Sequence, residues 1–384
     1  EEWKTENEDG KGWKIKYYKG LGTSTAAEAK EYFSNLQIHE VNFKWDAKAD
    51  DVIDMAFAKK RVDDRKLWLL GIEPGTHISY EDEVTYDDFV NKELILFSHA
   101  DNERSIPHCI DGFKPSQRKV LFSCFKRNLK SEIKVAQLAG YVSEHSAYHH
   151  GEASLTQTII SMAQNFVGSN NINLLTPCGQ FGTRLMGGKD AASPRYVFTK
   201  LEQITRCIFH PDDDPLLSYL DDDGQSIEPE YYVPIIPMVL VNGSEGIGTG
   251  WSSSVPTFNP REIIHNLKCM IKDEETMEMV PWYRGFTGEV EPKSSNQFSV
   301  KGIYEPHNDG TVVIKELPVG KWTTDYKQML EGLLIGGAGN SEEGKKGDVP
   351  FIKDFKENHT DTTVKFTISI PMDKFAEIYH SPGG

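Results

Sequence analysis

The sequence is short of cysteine and of positive charge, and it has no long apolar run. Its 384 residues carry only five cysteines: Cys109, Cys124, Cys178, Cys207 and Cys269. None lies within three residues of another and the count is odd, which rules out a zinc ribbon and argues against a disulfide framework. A reducing intracellular compartment fits best. No run of about 18 apolar residues occurs, so no transmembrane helix is expected. The opening Glu1-Glu2-Trp3-Lys4 is not a signal peptide and lacks an initiator Met, so the chain reads as a piece of a longer one. Lys and Arg number 42 against 58 Asp and Glu, a formal charge of −16 that, taken alone, argues against a nucleic-acid partner.

What is present changes that inference. Hydrophobic residues make up 38% and aromatics 11%, enough for a real core and too many for wholesale disorder. At roughly 150 residues per domain the length suggests two or three domains. The charge is also unevenly spread. Residues 101–210 hold 13 Lys or Arg against 8 Asp or Glu, a local balance of +5, leaving −21 for the remainder. A basic middle in an acidic chain is the footprint of a polyanion-binding domain, although a mixed surface would give the same count. The acidic triplets Asp212–Asp214 and Asp221–Asp223 lie just beyond it and read as solvated loops.

Periodicity gives the organisation. Thr25-Ala-Ala-Glu28 has the form of a capping box, predicting a helix from Ala26 to Asn35. A second helix is expected over Val52–Lys60, a linker over 71–88, and a helix over Asp88–Phe97. Pro115 opens another, with Val120, Leu121, Cys124 and Phe125 on one face and basic residues around them. Helices near Lys134–Tyr141 and Gly151–Val167 follow, the latter turning Leu155, Ile159, Ala163 and Phe166 inward. Three such helices joined by short turns suggest a helix-turn-helix module, and the Gly- and Asn-rich stretch after residue 168 suits a β-wing. The last third alternates: Phe298, Val300, Gly302 and Tyr304, then a turn at Asn308–Gly310, a strand at Thr311–Leu317 and another through Val364, Phe366, Ile368 and Ile370. Residues 336–348 read as a mobile glycine-rich loop.

Three segments carry candidate chemistry. In Pro194-Arg195-Tyr196 a phenol stands beside a guanidinium. A tyrosine attacks phosphorus once its proton is removed, and a phenol ordinarily ionises near ~10, so a neighbouring cation must favour the phenolate. The same guanidinium can hold a phosphate through its planar fork. From spacing alone, packing is the commoner role of such a pair. Tyr148-His149-His150-Gly151-Glu152 puts two imidazoles before a helix, fit for proton transfer or phosphate contact, or simply for exposure at the cap. No Cys or His stands at zinc spacing from them. Gly243–Gly250 resembles a phosphate-cradling loop but lacks the Lys-Ser/Thr ending of a P-loop. Its single apolar residue, Ile247, is either buried in a tight turn or exposed as a wedge between base pairs.

Taken in order, these segments form a series: Tyr17–Thr23, Arg104–Pro107, Asp111–Val120, Ala147–Glu152, Gln180–Arg184, Pro194–Tyr196 and Asn242–Trp251. The series resembles the DNA-cleavage core of eukaryotic type IIA DNA topoisomerases. The likeness runs along nearly the whole chain and is densest from residue 90 to 260. It implies an α+β multidomain fold, with a TOPRIM C-terminal part and linker over 1–90, a winged-helix domain carrying the tyrosine over 91–235, and a tower domain over 236–384. It assigns Tyr196 as the nucleophile that becomes linked to a 5′ phosphate, and Arg195 as its transition-state partner. His150 and Arg104 would position the scissile phosphate. Lys114, Arg118, Lys119, His149, Ser154 and Lys189 would contact DNA, and Ile247 would intercalate and bend the duplex. The resemblance further implies Mg²⁺, ATP, double-stranded DNA, a homodimer and the nucleus.

Two departures accompany it. The family's metal ligands, a Glu and an Asp-x-Asp set, would lie upstream of Glu1, and its ATPase is also missing, so no metal or cofactor site is expected in this chain. The chain by itself is therefore expected to cleave DNA poorly or not at all. Continuity of the TOPRIM tail with the winged-helix region favours the eukaryotic single-chain arrangement over the split bacterial one. A non-catalytic winged-helix DNA binder and a tyrosine recombinase, which links to the 3′ phosphate, remain as alternatives. So does a scaffold whose acidic regions bind protein partners.

Overall fold

The computed structural model describes residues 11–13, 24–73, 75–78, 83–222, 224–294, 297–334 and 351–379. The Tyr17–Thr23 segment and the 336–348 loop lie outside the described residues. The chain divides into two compact units, Glu1–His99 and Ala100–Gly384.

In the first unit, α1 (Ala26–Ser34) begins with the expected capping box: Thr25 Oγ1 accepts from the Glu28 N–H at 3.3 Å, and the Glu28 carboxylate accepts from the Thr25 N–H at 2.6 Å. Strand β1 (Asn42–Lys44) is followed by α2 (Ala49–Phe57) and α3 (Val62–Leu70). The 71–88 segment is not wholly a linker. Glu83–Thr85 forms β2, which pairs in parallel with β1, and Thr85 then caps a short helical turn at Tyr86–Phe89. The local pattern missed this because β1 supplies the partner from about forty residues away. Val52, Met55 and Val90 form a small core. Helical backbone continues into α4 (Ile95–Ser105), beyond the expected end at Phe97.

The second unit is built around three helices. Helix α5 (Pro115–Lys126) starts with Pro at its first position, where the missing N–H costs nothing, and the Gln117 side chain accepts from the Lys114 N–H at 2.9 Å. Val120, Leu121 and Cys124 are wholly buried, as the stripe predicts. Strand β3 (Ile133–Lys134) leads into α6 (Val135–His145), and α7 (Glu152–Ala163) buries Leu155, Ile159 and Ala163. The region expected to be a β-wing is mostly irregular. Between residues 168 and 200 it holds the short strand β4 (Phe198–Thr199), paired with β3, and isolated bridges at Leu175–Leu201 and Cys178–Phe198. Backbone groups there are satisfied by side chains instead. Asn171 Nδ2 donates to the carbonyls of Val241, Phe258 and Trp282, while its Oδ1 accepts from the Arg284 N–H.

The acidic triplets also differ from simple loops. Asp212–Asp214 lie in a 3-10 turn, Pro211–Leu216, with Asp214 paired to Arg206. Asp221 and Asp222 end β5 (Tyr219–Asp222), which pairs antiparallel with β6 (Gln225–Pro229). The main core runs from Phe113 to Ile263 and includes Tyr232, Ile236, Met238 and Val241, so it is continuous across residue 235. Strands β7 (Ser244–Ile247) and β8 (Ser252–Val255) form a hairpin, followed by α8 (Pro260–Ile271). Strands β9 (Glu289–Ser294) and β10 (Gln297–Lys301) form a second hairpin.

A four-stranded antiparallel sheet completes the unit. Its strands are β11 (Ile303–Pro306), β12 (Thr311–Glu316), β13 (Asp354–Glu357) and β14 (Phe366–Ser369), in the order β11-β12-β14-β13. Val312 faces Ile368 and Ile314 faces Phe366 across β12 and β14. Helix α9 (Thr323–Leu334) contributes Leu330 to a second core with Leu317, Ile352, Val364, Phe366 and Ile368. A last helix, α10, spans Met372–Tyr379.

Candidate nucleic-acid cleavage site

Tyr196 stands on a turn whose flanks are fixed. Val197 beside it is buried, whereas Tyr196 is 72% exposed. The Tyr196 N–H donates to the Ser193 carbonyl at 2.9 Å, closing the turn. The turn also caps α6: the Ala136 and Val135 N–H groups donate to the carbonyls of Pro194 and Val197, each at 3.1 Å. A helix start leaves such N–H groups without partners of their own, so the turn and the helix stabilise each other. This sets the tyrosine near the positive end of the α6 dipole, where negative charge is favoured. The Arg195 guanidinium lies 5.9 Å from the Tyr196 ring centroid.

The segment leading to this turn is pinned from several sides. Gln164 Nε2 donates to the Phe181 carbonyl at 2.9 Å, and Thr183 donates through its hydroxyl and its N–H to Asp190 at 2.6 and 2.8 Å. Arg184 is buried and paired with buried Glu316, which also accepts from the Thr287 hydroxyl at 3.0 Å. Gly187 (φ +61°) lies against Trp322, where a Cβ would come within 2.3 Å of the indole.

A separate cleft of about 600 Å³ gathers five of the residues that the sequence singled out: Arg104, Lys119, His149, His150 and Ser154. Arg104, in the last turn of α4, donates to Asp101 at 2.7 Å. His149 Nε2 lies 3.4 Å from Asp222, and the His150 ring meets Tyr148 edge-on at 5.4 Å. Lys119 Nζ donates to the Ser146 carbonyl and pairs with buried Glu228 at 2.8 Å, so its charge is already balanced within the protein. The lining of this cleft includes neither Tyr196 nor Arg195.

The other sequence candidates fall elsewhere. Lys114 is half-buried and lines a different cleft, of about 620 Å³, with Asp111 and Ser244. Arg118 is turned inward. Its Nε and Nη2 donate to Asp111 at 2.8 and 3.0 Å, and the side chain is 7% exposed. Asp111 accepts in addition from the N–H groups of Phe113 and Tyr232, so this pair anchors the start of α5 rather than facing solvent. Lys189 is exposed, and Ile247 is 77% exposed at the end of β7.

Sequence reasoning missed Asn102, whose side chain makes two hydrogen bonds to the Thr249 backbone 147 positions away. No local pattern carries such a contact. Asp222 at the cleft mouth was likewise read only as part of an acidic run. Among the described residues no three of His, Cys, Asp and Glu are grouped to hold a metal, and no helix is long and apolar enough to cross a membrane.

An α+β scaffold that displays a tyrosine beside an arginine, with histidines and arginine in a nearby cleft, defines a class of phosphodiester-handling protein. Residues 104–381 match the family model of DNA gyrase/topoisomerase IV, and residues 1–102 match the C-terminal associated domain of TOPRIM. The chain belongs to the DNA gyrase/topoisomerase IV family, the type IIA topoisomerases. Among its relatives, DNA topoisomerase 2-alpha of Cricetulus griseus is 54% identical over 98% of this chain, and that of Homo sapiens 53% over 98%. DNA topoisomerase 2 of Drosophila melanogaster is 53% identical over the full chain. The chain spans about a quarter of the length of these relatives: 25% of the first two and 27% of the third. A crystal structure of the Plasmodium falciparum topoisomerase II DNA-binding, cleavage and re-ligation domain matches with a TM-score of 0.80 at 52% identity. The match covers 98% of this chain and 51% of that one. The resemblance read from the sequence therefore agrees with the family, and the two family models adjoin in one chain as the continuity of the sequence implied.

Proposed function

We propose that this chain is the DNA breakage and reunion region of a eukaryotic type II topoisomerase. In this reading the 1–90, 91–235 and 236–384 segments act as TOPRIM tail, winged-helix and tower parts. The observation that carries the reading is the exposure of Tyr196 on a braced turn beside Arg195, within a chain of this family. The Tyr196 hydroxyl loses its proton and its oxygen attacks a backbone phosphorus. The bond from phosphorus to the 3′ oxygen breaks, and that oxygen leaves as a hydroxyl. A phosphotyrosine to the 5′ phosphate conserves the energy of the broken diester, so the reverse attack reseals the strand without a new high-energy bond. Arg195 offsets charge on the phosphate in the transition state.

Arg104 and His150 orient the scissile phosphate from the cleft, and His149, Ser154 and Lys189 contact the backbone. Lys114 and Lys119 contribute positive potential, and Arg118 supports the DNA surface from beneath through Asp111. Ile247 wedges into the duplex. Mg²⁺ and ATP belong to the reaction as this family performs it. The described residues present no three-donor metal set, so no step here is routed through either. The assembly is a homodimer acting on double-stranded DNA in the nucleus, each protomer cutting one strand.

The test is covalent capture in the full-length protein. Denaturant-trapped protein–DNA adduct is expected on the 5′ end and is expected to vanish in Tyr196→Phe. Retention of adduct in that variant would remove Tyr196 as nucleophile, and a 3′ linkage would favour recombinase chemistry.

A further inference from the structure

We propose that Asn102 is a positioning residue that locks the Ile247 hairpin to the helix bearing Arg104, so that wedge insertion and phosphate alignment occur as one event. The inference rests on the reading of Ile247 as a DNA wedge. In the structure, Asn102 Nδ2 donates to the Thr249 carbonyl at 3.0 Å, and its Oδ1 accepts from the Thr249 N–H at 2.7 Å. Both polar groups of the turn residue are thus held by one side chain. Gly248 N–H donates to the Trp251 carbonyl at 3.0 Å, closing the same turn.

The glycines show how close the contact is. A Cβ on Gly248 would lie 2.0 Å from Asn102 Oδ1, and one on Gly246 would lie 2.3 Å from the Ser105 carbonyl. Gly246 is buried against α4 while Ile247 is 77% exposed. This alternation is a property of strand register: a slip of one residue would turn Ile247 toward α4 and Gly246 outward. Asn102 sets that register from outside the hairpin. Arg104, two residues further along α4, lines the cleft that holds His150. The exposed apolar side chain and the phosphate-facing cation are therefore referenced to the same helical turns. A rigid link of this kind lowers the cost of aligning the reacting groups once the duplex is bent.

The test separates bending from binding in the full-length protein. A duplex of about 30 base pairs, carrying a fluorophore at each end, reports bending by energy transfer, and affinity is measured by titration in parallel. Wild type is expected to bend it, and Ile247→Ala to lose the bend. Asn102→Ala is expected to lose it equally, with affinity reduced by less than about threefold, and Asn102→Ala with Ile247→Ala to lose no more than either alone. Full bending by Asn102→Ala, or further loss in the double variant, would overturn the proposal while leaving the wedge intact. Full bending by Ile247→Ala would instead remove the wedge reading, and this proposal with it. If Asn102→Ala does not fold, Asn102→Asp decides. It keeps the acceptor for the Thr249 N–H but not the donor, so partial bending is expected and wild-type bending overturns the proposal.

Discussion

Arg118 and Lys189 are both basic residues in the positive middle of the chain, yet they do different work. Arg118 is buried on Asp111, where an unpaired partner left behind would be costly, whereas Lys189 is exposed. Arg118→Ala is expected to destabilise the protein by about 3–5 kcal/mol, read by chemical denaturation. Lys189→Ala is expected to leave that stability within about 0.5 kcal/mol. An equal effect of the two would contradict the burial argument. The cysteines differ in the same way. Burial pushes the Cys124 thiol up to about 12, while Cys109 and Cys207 are exposed. A maleimide at about pH 8 is expected to modify Cys109 and Cys207 and to spare Cys124 until the chain unfolds.

At the scale of elements, the tyrosine turn owes its place to contacts made by other segments. It caps α6 and is tied to the four-stranded sheet through Arg184 and Glu316 and through Trp322 on Gly187. Gly187→Ala forces a Cβ into the indole at positive φ. It is expected to lower stability by about 1–3 kcal/mol and to reduce covalent capture by Tyr196 together with it. Trp322→Ala in the same chain relieves the collision, so the pair is expected to be less than additive by thermal melting. Strict additivity would show that the ring and the glycine are not in contact.

For the whole molecule, charge and titration set the solution behaviour. DNA affinity is expected to fall linearly on a log–log plot against salt, by about 0.9 per phosphate neutralised, despite the net charge of −16. Lys189→Ala is expected to reduce that slope by about 1. A flat salt response would mean that the +5 middle is not the DNA-binding surface. Stability is expected to decline in alkali. Cys124 ordinarily ionises near 9.0 but only at about 12 when folded, and burial raises Tyr232 in the same direction. The unfolded chain therefore releases these protons first, and stability is lost as pH rises from about 9 toward 12, which equilibrium denaturation across that window would measure.

The sequence by itself determined the local elements and the family. The Thr25–Glu28 capping box, the α5 stripe of Val120, Leu121 and Cys124, and the alternation through Phe366 and Ile368 depend on neighbours within a turn or two, so periodicity carries them. The Pro194–Tyr196 and Asn242–Trp251 segments marked the candidate site for a similar reason: the groups involved are adjacent in the chain. Tertiary structure alone decided which basic residues face outward, because burial of Arg118 requires Asp111 and pairing of Lys119 requires Glu228, 109 positions on. It also made a strand of Glu83–Thr85, by supplying β1, and fixed Ile247 outward, by clamping Thr249 to Asn102. Such contacts join residues far apart in sequence, and composition and period contain no term for them.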